Sequence, residues 1–413
     1  MRKKLLLAIL RVLSIAGQIG LVKLYTRYLL PAQLGQYYFF LTVSYSLNAL
    51  LFVPVDYFQQ AQVFELGREG RSLHGLFQLN AKLFGAIGIL FLLSSAVTAF
   101  FSLSLMQALT ATVLLSALLY VSTAAKNFLN NQDYQLLVVI MLVIEIPIRI
   151  MIFFALVKLK VAGPLSPLIA TAGSYLLVTA AVVPTMRSLV ARFKGEPQRV
   201  EMSTVLKFSA PISGSAVLNW LQLQGYRLVL VPMGYAEAVG LFATTSQIGN
   251  AGMNGAATVY QQIYMPRIYQ TAGKYLRSYL KGLLLVIAIV ATVGLGLRNQ
   301  IVGLITNGRF TAYAWVLGYG IFVEAGNFVI AALVVKLTID NNTRAQVKAN
   351  ILAAVTVPLL YLGLYFIHGL SVYTIGVPLV VAQAVVVSWL ILQSEINPWK
   401  NQRSPEEAMP SLS

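Results

Sequence analysis

Cysteine is absent from the 413-residue chain, and histidine occurs only as His74 and His368. Without Cys there is no disulfide framework, no thiolate metal ligand and no cysteine nucleophile. Two imidazoles do not make a zinc cluster, and nothing in the sequence indicates a cofactor. Charge is scarce as well. Only 10% of the residues are charged, where a soluble domain carries about 25%. Acidic groups are the rarest of these, 13 Asp and Glu against 30 Lys and Arg, which leaves a net charge of +17. The basic residues are spread over many short loops and form no patch. Membrane topology accounts for them better than a nucleic-acid partner does.

Apolar residues are what the chain has in abundance, at 58%. They gather into runs of about 20 residues, the length that crosses a bilayer as a helix. Twelve such runs are predicted, at 5–29, 37–58, 79–101, 107–129, 136–157, 165–186, 205–230, 239–262, 280–297, 313–335, 350–368 and 372–394. The fold class is therefore an all-α polytopic membrane protein. The start, Met-Arg-Lys-Lys before an apolar stretch, has the outline of a signal peptide. Arg11 interrupts the stretch and no small-residue cleavage site stands out, so it reads as a retained first helix.

Lys and Arg set the expected orientation. Lys158, Lys160, Arg298 and Arg309 fall on one set of loops, and most of the others, Lys126 among them, on the opposite set. The rich side is cytoplasmic by the positive-inside rule, which places both termini in the cytoplasm. The polar stretch from Arg187 to Glu201 reads as a linker between two six-helix halves, 1–200 and 201–396. Residues 397–413 read as a disordered cytoplasmic tail. A weak internal repeat supports the halves. Arg27, Pro31 and Leu34-Gly35-Gln36-Tyr37 are echoed by Arg227, Pro232 and Val239-Gly240-Leu241-Phe242.

Polar residues inside the runs are the functional candidates. An Arg, Lys or Asp at mid-bilayer costs roughly 2.5–3.5 kcal/mol on insertion scales, so it needs water, a partner or a ligand. Lys23 and Arg27 share a face of the first helix near its outer end, where snorkelling is the plain alternative. Glu145 and Arg149 stand four apart around Pro147, as an internal ion pair or as a charged site. Glu324 has no local cation, and Asn327 shares its face. Asp56 follows Pro54 near the inner end of the second run, and Glu395 lies at an edge. Glu324, Asp56 and Glu145 are the candidates for ion coupling. If Glu145 neutralises Arg149, the remaining in-span charge leans positive at Lys23, Arg27 and Arg227.

Two polar stripes run alongside. At about 100° per residue, Gln247, Asn250, Asn254, Thr258 and Gln261 fall within an arc of about 80°. Ser215, Asn219, Gln222 and Tyr226 align similarly on the preceding run. Amides in hydrocarbon need partners. Aligned stripes on two adjacent helices predict a hydrated cavity, against the alternative of interhelical glue. Lys23, Arg27, Arg149, Arg227, Asn219, Gln222, Gln247, Asn250 and Asn254 are the candidate substrate contacts. A positive cavity rich in amides and hydroxyls suits an anionic, hydroxyl-rich substrate.

Four stretches carry a resemblance to a known family: Tyr25 to Tyr37, Val239 to Thr244, Tyr260 to Ile268 with Pro266, and Asn307 to Ala314. In their order and spacing over essentially the whole chain they resemble Wzx-type polysaccharide (O-antigen) flippases. That family belongs to the superfamily of multidrug exporters and lipid II flippases. The resemblance implies two six-helix bundles around a central cavity and alternating access. It implies undecaprenyl-pyrophosphate-linked oligosaccharide as substrate, a bacterial inner membrane, membrane lipids as surroundings, and the polysaccharide polymerase machinery as a partner. It also implies cationic lumen residues, which Lys23, Arg27, Arg149 and Arg227 match. Many relatives carry an acidic residue where this chain has Gly225-Tyr226-Arg227, so no ion-coupling role carries over there. Two other readings stand. A cation-coupled drug exporter would rest on Glu324. A membrane polymerase or acyltransferase would need a polar cluster on one face, and the short loops offer none.

Overall fold

A computed structural model describes residues 2–69, 72–191, 193, 200–339 and 343–394. Glu395, the tail 397–413 and, within the expected linker, residues 192 and 194–199 lie outside these residues, as do the side chains of Arg11 and Ser215.

Among the described residues twelve long helices follow one another, as the apolar runs predict. They are α1 (Arg2–Tyr28), α2 (31–69), α3 (His74–Phe101), α4 (Leu103–Asn131), α5 (Gln135–Lys158) and α6 (Ser166–Val190). The second six are α7 (Met202–Leu230), α8 (Ala236–Gln270), α9 (Leu276–Gly296), α10 (Leu317–Ile339), α11 (Thr343–Phe366) and α12 (Gly376–Gln393). No strand occurs among the described residues. Among the described residues, ten segments are long and apolar enough to cross a membrane. One of them, 216–270, covers the end of α7 and all of α8. The chain is a multi-pass membrane protein.

Several helices outrun their apolar cores. Helix α2 extends to residue 69 and α8 to residue 270, past the expected ends at 58 and 262. A helix keeps its backbone bonds satisfied on leaving hydrocarbon, so hydropathy alone underestimates its length. The same effect corrects the placing of Lys126 in a loop. It lies inside α4, within the N-terminal lobe.

Helix starts follow local chemistry. Pro31 opens α2 at the position where a missing N–H costs nothing, and the Leu30 N–H donates to Gln33 Oε1 at 2.9 Å. Ser102 caps α4 by accepting from the Leu105 N–H, and Asn307 caps a short helix by accepting from the Arg309 N–H. Buried hydroxyls bond to their own helix, as in Thr112 to the Ala108 carbonyl and Thr171 to the Pro167 carbonyl.

Helices α1 to α6 pack on one another through the pairs α1–α5, α2–α4, α3–α4, α4–α6 and α5–α6. Helices α7 to α12 do likewise through α7–α11, α8–α9, α8–α10, α9–α10, α10–α12 and α11–α12. The two lobes meet where α2 packs on α7 and α8, and where α1 touches α8. Helix α3 is peripheral. Ile89, Leu90, Leu92 and Leu93 stand exposed on it, an apolar face suited only to lipid.

Two π-helical turns interrupt the pattern. One, Asn48–Phe52, divides α2 into its halves Pro31–Leu47 and Val53–Glu69. Asn48 Nδ2 there reaches across to the Ser116 carbonyl of α4 at 3.2 Å. The other, Val231–Tyr235, reverses the chain between α7 and α8 through Gly234 at φ 92°. The α1–α2 turn and the α7–α8 turn lie together at one end of the molecule, the hairpin end. The opposite end is the terminal end.

Candidate functional site

The lobes are closest at the hairpin end, where the starts of α2 and α8 cross. A methyl added at Gly35 would overlap the Ala236 carbonyl, and one at Gly240 would overlap the Pro31 carbonyl. Each lobe thus contributes one glycine, and each glycine accepts the other helix's backbone. These are the two glycines of the internal repeat. The sequence exposes the repeat, and the crossing supplies its physical reason.

One helical layer below, Arg227 ties the lobes together. It is buried, 7% exposed, at the end of α7. Its Nη1 reaches Thr42 Oγ1 of α2 at 3.4 Å, and its guanidinium lies 4.9 Å from the Tyr38 ring centre. Tyr226 beside it packs edge-on against Phe242, centroids 5.5 Å apart. Lys23 and Arg27, by contrast, are exposed on α1.

In the N-terminal lobe Glu145 and Arg149 form no ion pair, which removes the first of the two readings of these residues. Glu145 Oε1 is bound by Lys126 Nζ at 2.6 Å, and Ser122 donates to the same oxygen at 3.4 Å. Helix α4 presents Lys126 to the buried carboxylate, with side chains 14% and 5% exposed. Arg149 turns instead to tyrosine. Its guanidinium lies 5.5 Å from the Tyr175 ring centre, and its buried Nε has no hydrogen-bond partner. The Tyr25 hydroxyl is also buried without a partner. The sequence missed Lys126 because a lysine five residues from a helix end reads as interfacial.

In the C-terminal lobe Glu324 is 8% exposed, near the middle of the bundle. Asn254 of α8 donates to Oε1 at 2.7 Å and Asn327 to Oε2 at 3.0 Å. Thr258 donates to Asn254 Oδ1, and Gln383 of α12 donates to Asn327 Oδ1. A chain of hydrogen bonds therefore joins α8, α10 and α12 through one carboxylate. No described Lys or Arg forms an ion pair with it. Gln383 had no signal in the sequence, being one amide in an apolar run.

Asp56 is held similarly by amides. Gln60 donates to Oδ2 at 2.8 Å, and Asn127 of α4 donates to both oxygens, at 3.0 and 3.3 Å. Glu145, Glu324 and Asp56 thus occupy three separate places.

The polar stripes divide. Asn219, Gln247 and Asn254 are exposed, Asn250 is half-buried, and Gln222 is buried with Nε2 unpartnered. An exposed amide in mid-span would be costly against lipid, so a wetted face is the consistent surrounding.

No family model matches the chain, and no curated protein does. Solved structures match in fold. The lipid II flippase MurJ, in an inward closed conformation, superposes with a TM-score of 0.70 at 12% identity, over 95% of this chain and 87% of that one. An inward-facing multidrug resistance MATE family transporter of the MOP superfamily gives 0.63 at 13% identity, over 94% of each chain. The MATE multidrug transporter DinF-BH gives 0.59 at 16% identity, also over 94% of each. The two-lobed architecture is the fold of these transporters.

Proposed function

We propose that the protein is a flippase carrying an undecaprenyl-pyrophosphate-linked oligosaccharide across a bacterial inner membrane by alternating access. The observation that carries this reading is Arg149. Its neighbouring carboxylate is taken by Lys126, and the guanidinium is left among tyrosines with an unpartnered N–H. A half-buried cation with no carboxylate of its own calls for an anion, and a guanidinium suits a phosphate's paired oxygens. The exposed Lys23 and Arg27 add positive charge on α1. The exposed amides Asn219 and Gln247 give a glycan the hydrogen bonds it loses on leaving water.

Arg227 serves as a tie between lobes in this reading, because its guanidinium is already committed to Thr42 and Tyr38. Glu324 is the coupling group: a mid-span carboxylate held by amides takes a proton or sodium ion without first breaking an ion pair. The positive-inside pattern puts both termini in the cytoplasm, so the hairpin end faces outward.

A second reading rests on the same carboxylate. A cation exporter needs an acidic site free of internal cations, and Glu324 qualifies. The resemblance to polysaccharide flippases and the free Arg149 favour the first. Nothing in the geometry arranges a nucleophile and base, so catalysis is not part of the proposal.

The test is exchange in proteoliposomes. Fluorescent undecaprenyl-pyrophosphate-oligosaccharide is placed in both leaflets, and its protection from an impermeant quencher is followed. Protein-dependent exchange that falls tenfold or more in Arg149→Gln supports the proposal. Exchange unchanged in that variant would remove the phosphate role from Arg149.

A further inference from the structure

A cavity of about 320 Å³ lies inside the N-terminal lobe, between α2, α3, α4 and α6, toward the terminal end. It is away from the α2–α8 crossing, on the side of α2 that also packs on α7. Its walls are largely apolar, with Phe84, Phe128 and Tyr120 among the aromatic rings. One carboxylate, Asp56, lines it, and no Lys or Arg does among the described residues. Asn127 and Gln60 fix both carboxylate oxygens, and an ionised carboxylate has about four acceptor positions, so capacity remains.

Two further groups on the lining lack partners. Thr179 is 8% exposed and its buried hydroxyl makes no hydrogen bond. Gln59 Nε2 is buried with no acceptor; the Tyr120 hydroxyl, whose proton goes to Asn80 Oδ1, stands 3.4 Å from Gln59 Oε1. A site with a carboxylate, a free hydroxyl and a free amide donor, and no Lys or Arg among the described lining residues, has an anion but no cation of its own. Orphaned polar atoms around one cavity point to an occupant that supplies the missing bonds.

The opening identifies where that occupant comes from. Helices α3 and α6 each pack on α4 and leave Val121 of α4 exposed between them. Phe77 at the start of α3, 49% exposed, also lines the cavity. The mouth thus faces lipid, not the space between lobes. Asn131 and Val190 on the lining are the last residues of α4 and α6, while Thr179 lies eleven residues deeper, about 16 Å along the helix. The cavity therefore runs from headgroup level into the hydrocarbon.

We infer that this cavity binds a primary ammonium group carried on an apolar stem, and that its occupant is an aminophospholipid entering from the bilayer. The ammonium donates to Asp56 and to the Thr179 hydroxyl, the Gln59 amide donates to the phosphate, and the acyl chains lie against the apolar walls. Phe84 and Tyr120 offer ring faces to the same cation.

Native mass spectrometry of the delipidated full chain tests this. The probes are phosphatidylethanolamine and the same lipid with its amine acetylated, acyl chains unchanged. The wild type should retain the free-amine lipid about tenfold better, and Asp56→Asn should abolish the difference. Should that variant fail to fold, Ala124→Leu carries the test, since it fills the cavity from α4 and leaves the carboxylate in place; it should lose the preference too. Equal retention of both lipids by the wild type, or a preference that survives these variants, overturns the site. Dodecylamine provides the second arm. Displacement of phosphatidylethanolamine by dodecylamine supports one shared ammonium site. Retention of dodecylamine with no lipid preference would keep the ammonium chemistry and overturn the lipid as its source.

Discussion

Arg149 stands one helical turn from Glu145 and does not use it. The carboxylate goes to Lys126 on α4, which a reading along one helix cannot see. Residues four apart on a helix are only neighbours, and a partner from another helix wins when it is better enclosed. Breaking a buried ion pair from one side leaves the other charge stranded. Lys126→Met should therefore destabilise the protein by about 3 kcal/mol, read as a lower thermal unfolding midpoint in detergent. Adding Glu145→Gln should recover most of that loss. If Lys126→Met alone leaves the midpoint unchanged, Glu145 is neutral or wet and the free-Arg149 argument fails with it.

Glu324 supports a second prediction at this scale. Glu324→Gln keeps an oxygen for Asn254 and removes the charge, so the protein should fold with unchanged stability within about 1 kcal/mol. Transport driven by a proton or sodium gradient should fall to the rate without a gradient. Gradient-stimulated flux that persists in the variant would move coupling elsewhere.

Among the elements, the crossing of α2 and α8 is tightly constrained. Gly35 and Gly240 let two helix starts touch backbone to backbone, and a branched side chain there must push the lobes apart. Gly240→Val should open the hairpin end. The chain contains no native cysteine, so single cysteines placed beside the crossing report on this without background. They should react with an impermeant thiol reagent several times faster in Gly240→Val than in the wild type. Equal rates would mean that the crossing already separates freely. The π-helical turn at Asn48–Phe52 lies between this crossing and Asp56 and is a natural place for α2 to bend.

The twelve helices of the whole molecule were legible because each repeats one strong signal, an apolar run of bilayer length. The repeat around Gly35 and Gly240 was legible as a pattern, yet its meaning required two helices far apart in sequence to meet. The acids were found one by one, as charged residues in apolar runs. Their surroundings were not, because Lys126, Asn127, Asn254 and Gln383 come from other helices and a lone amide in a span has many uses. The cavity beside Asp56 had no signal at all, since it is made by four helices failing to fill a space.

Topology is testable at the same scale. A cysteine replacing Lys160, between α5 and α6, should label from outside intact cells, and one replacing Lys274, between α8 and α9, should label only after permeabilisation. The reverse pattern would invert the assigned orientation. The most direct measurement of the central claim compares two cargoes of opposite charge in the same proteoliposomes. A flippase of this kind gives rapid protein-dependent exchange of the anionic undecaprenyl-pyrophosphate-oligosaccharide and no accumulation of a cationic dye. Dye accumulation driven by an ion gradient, with no exchange of the glycan lipid, would contradict it and leave the exporter built on Glu324 as the function.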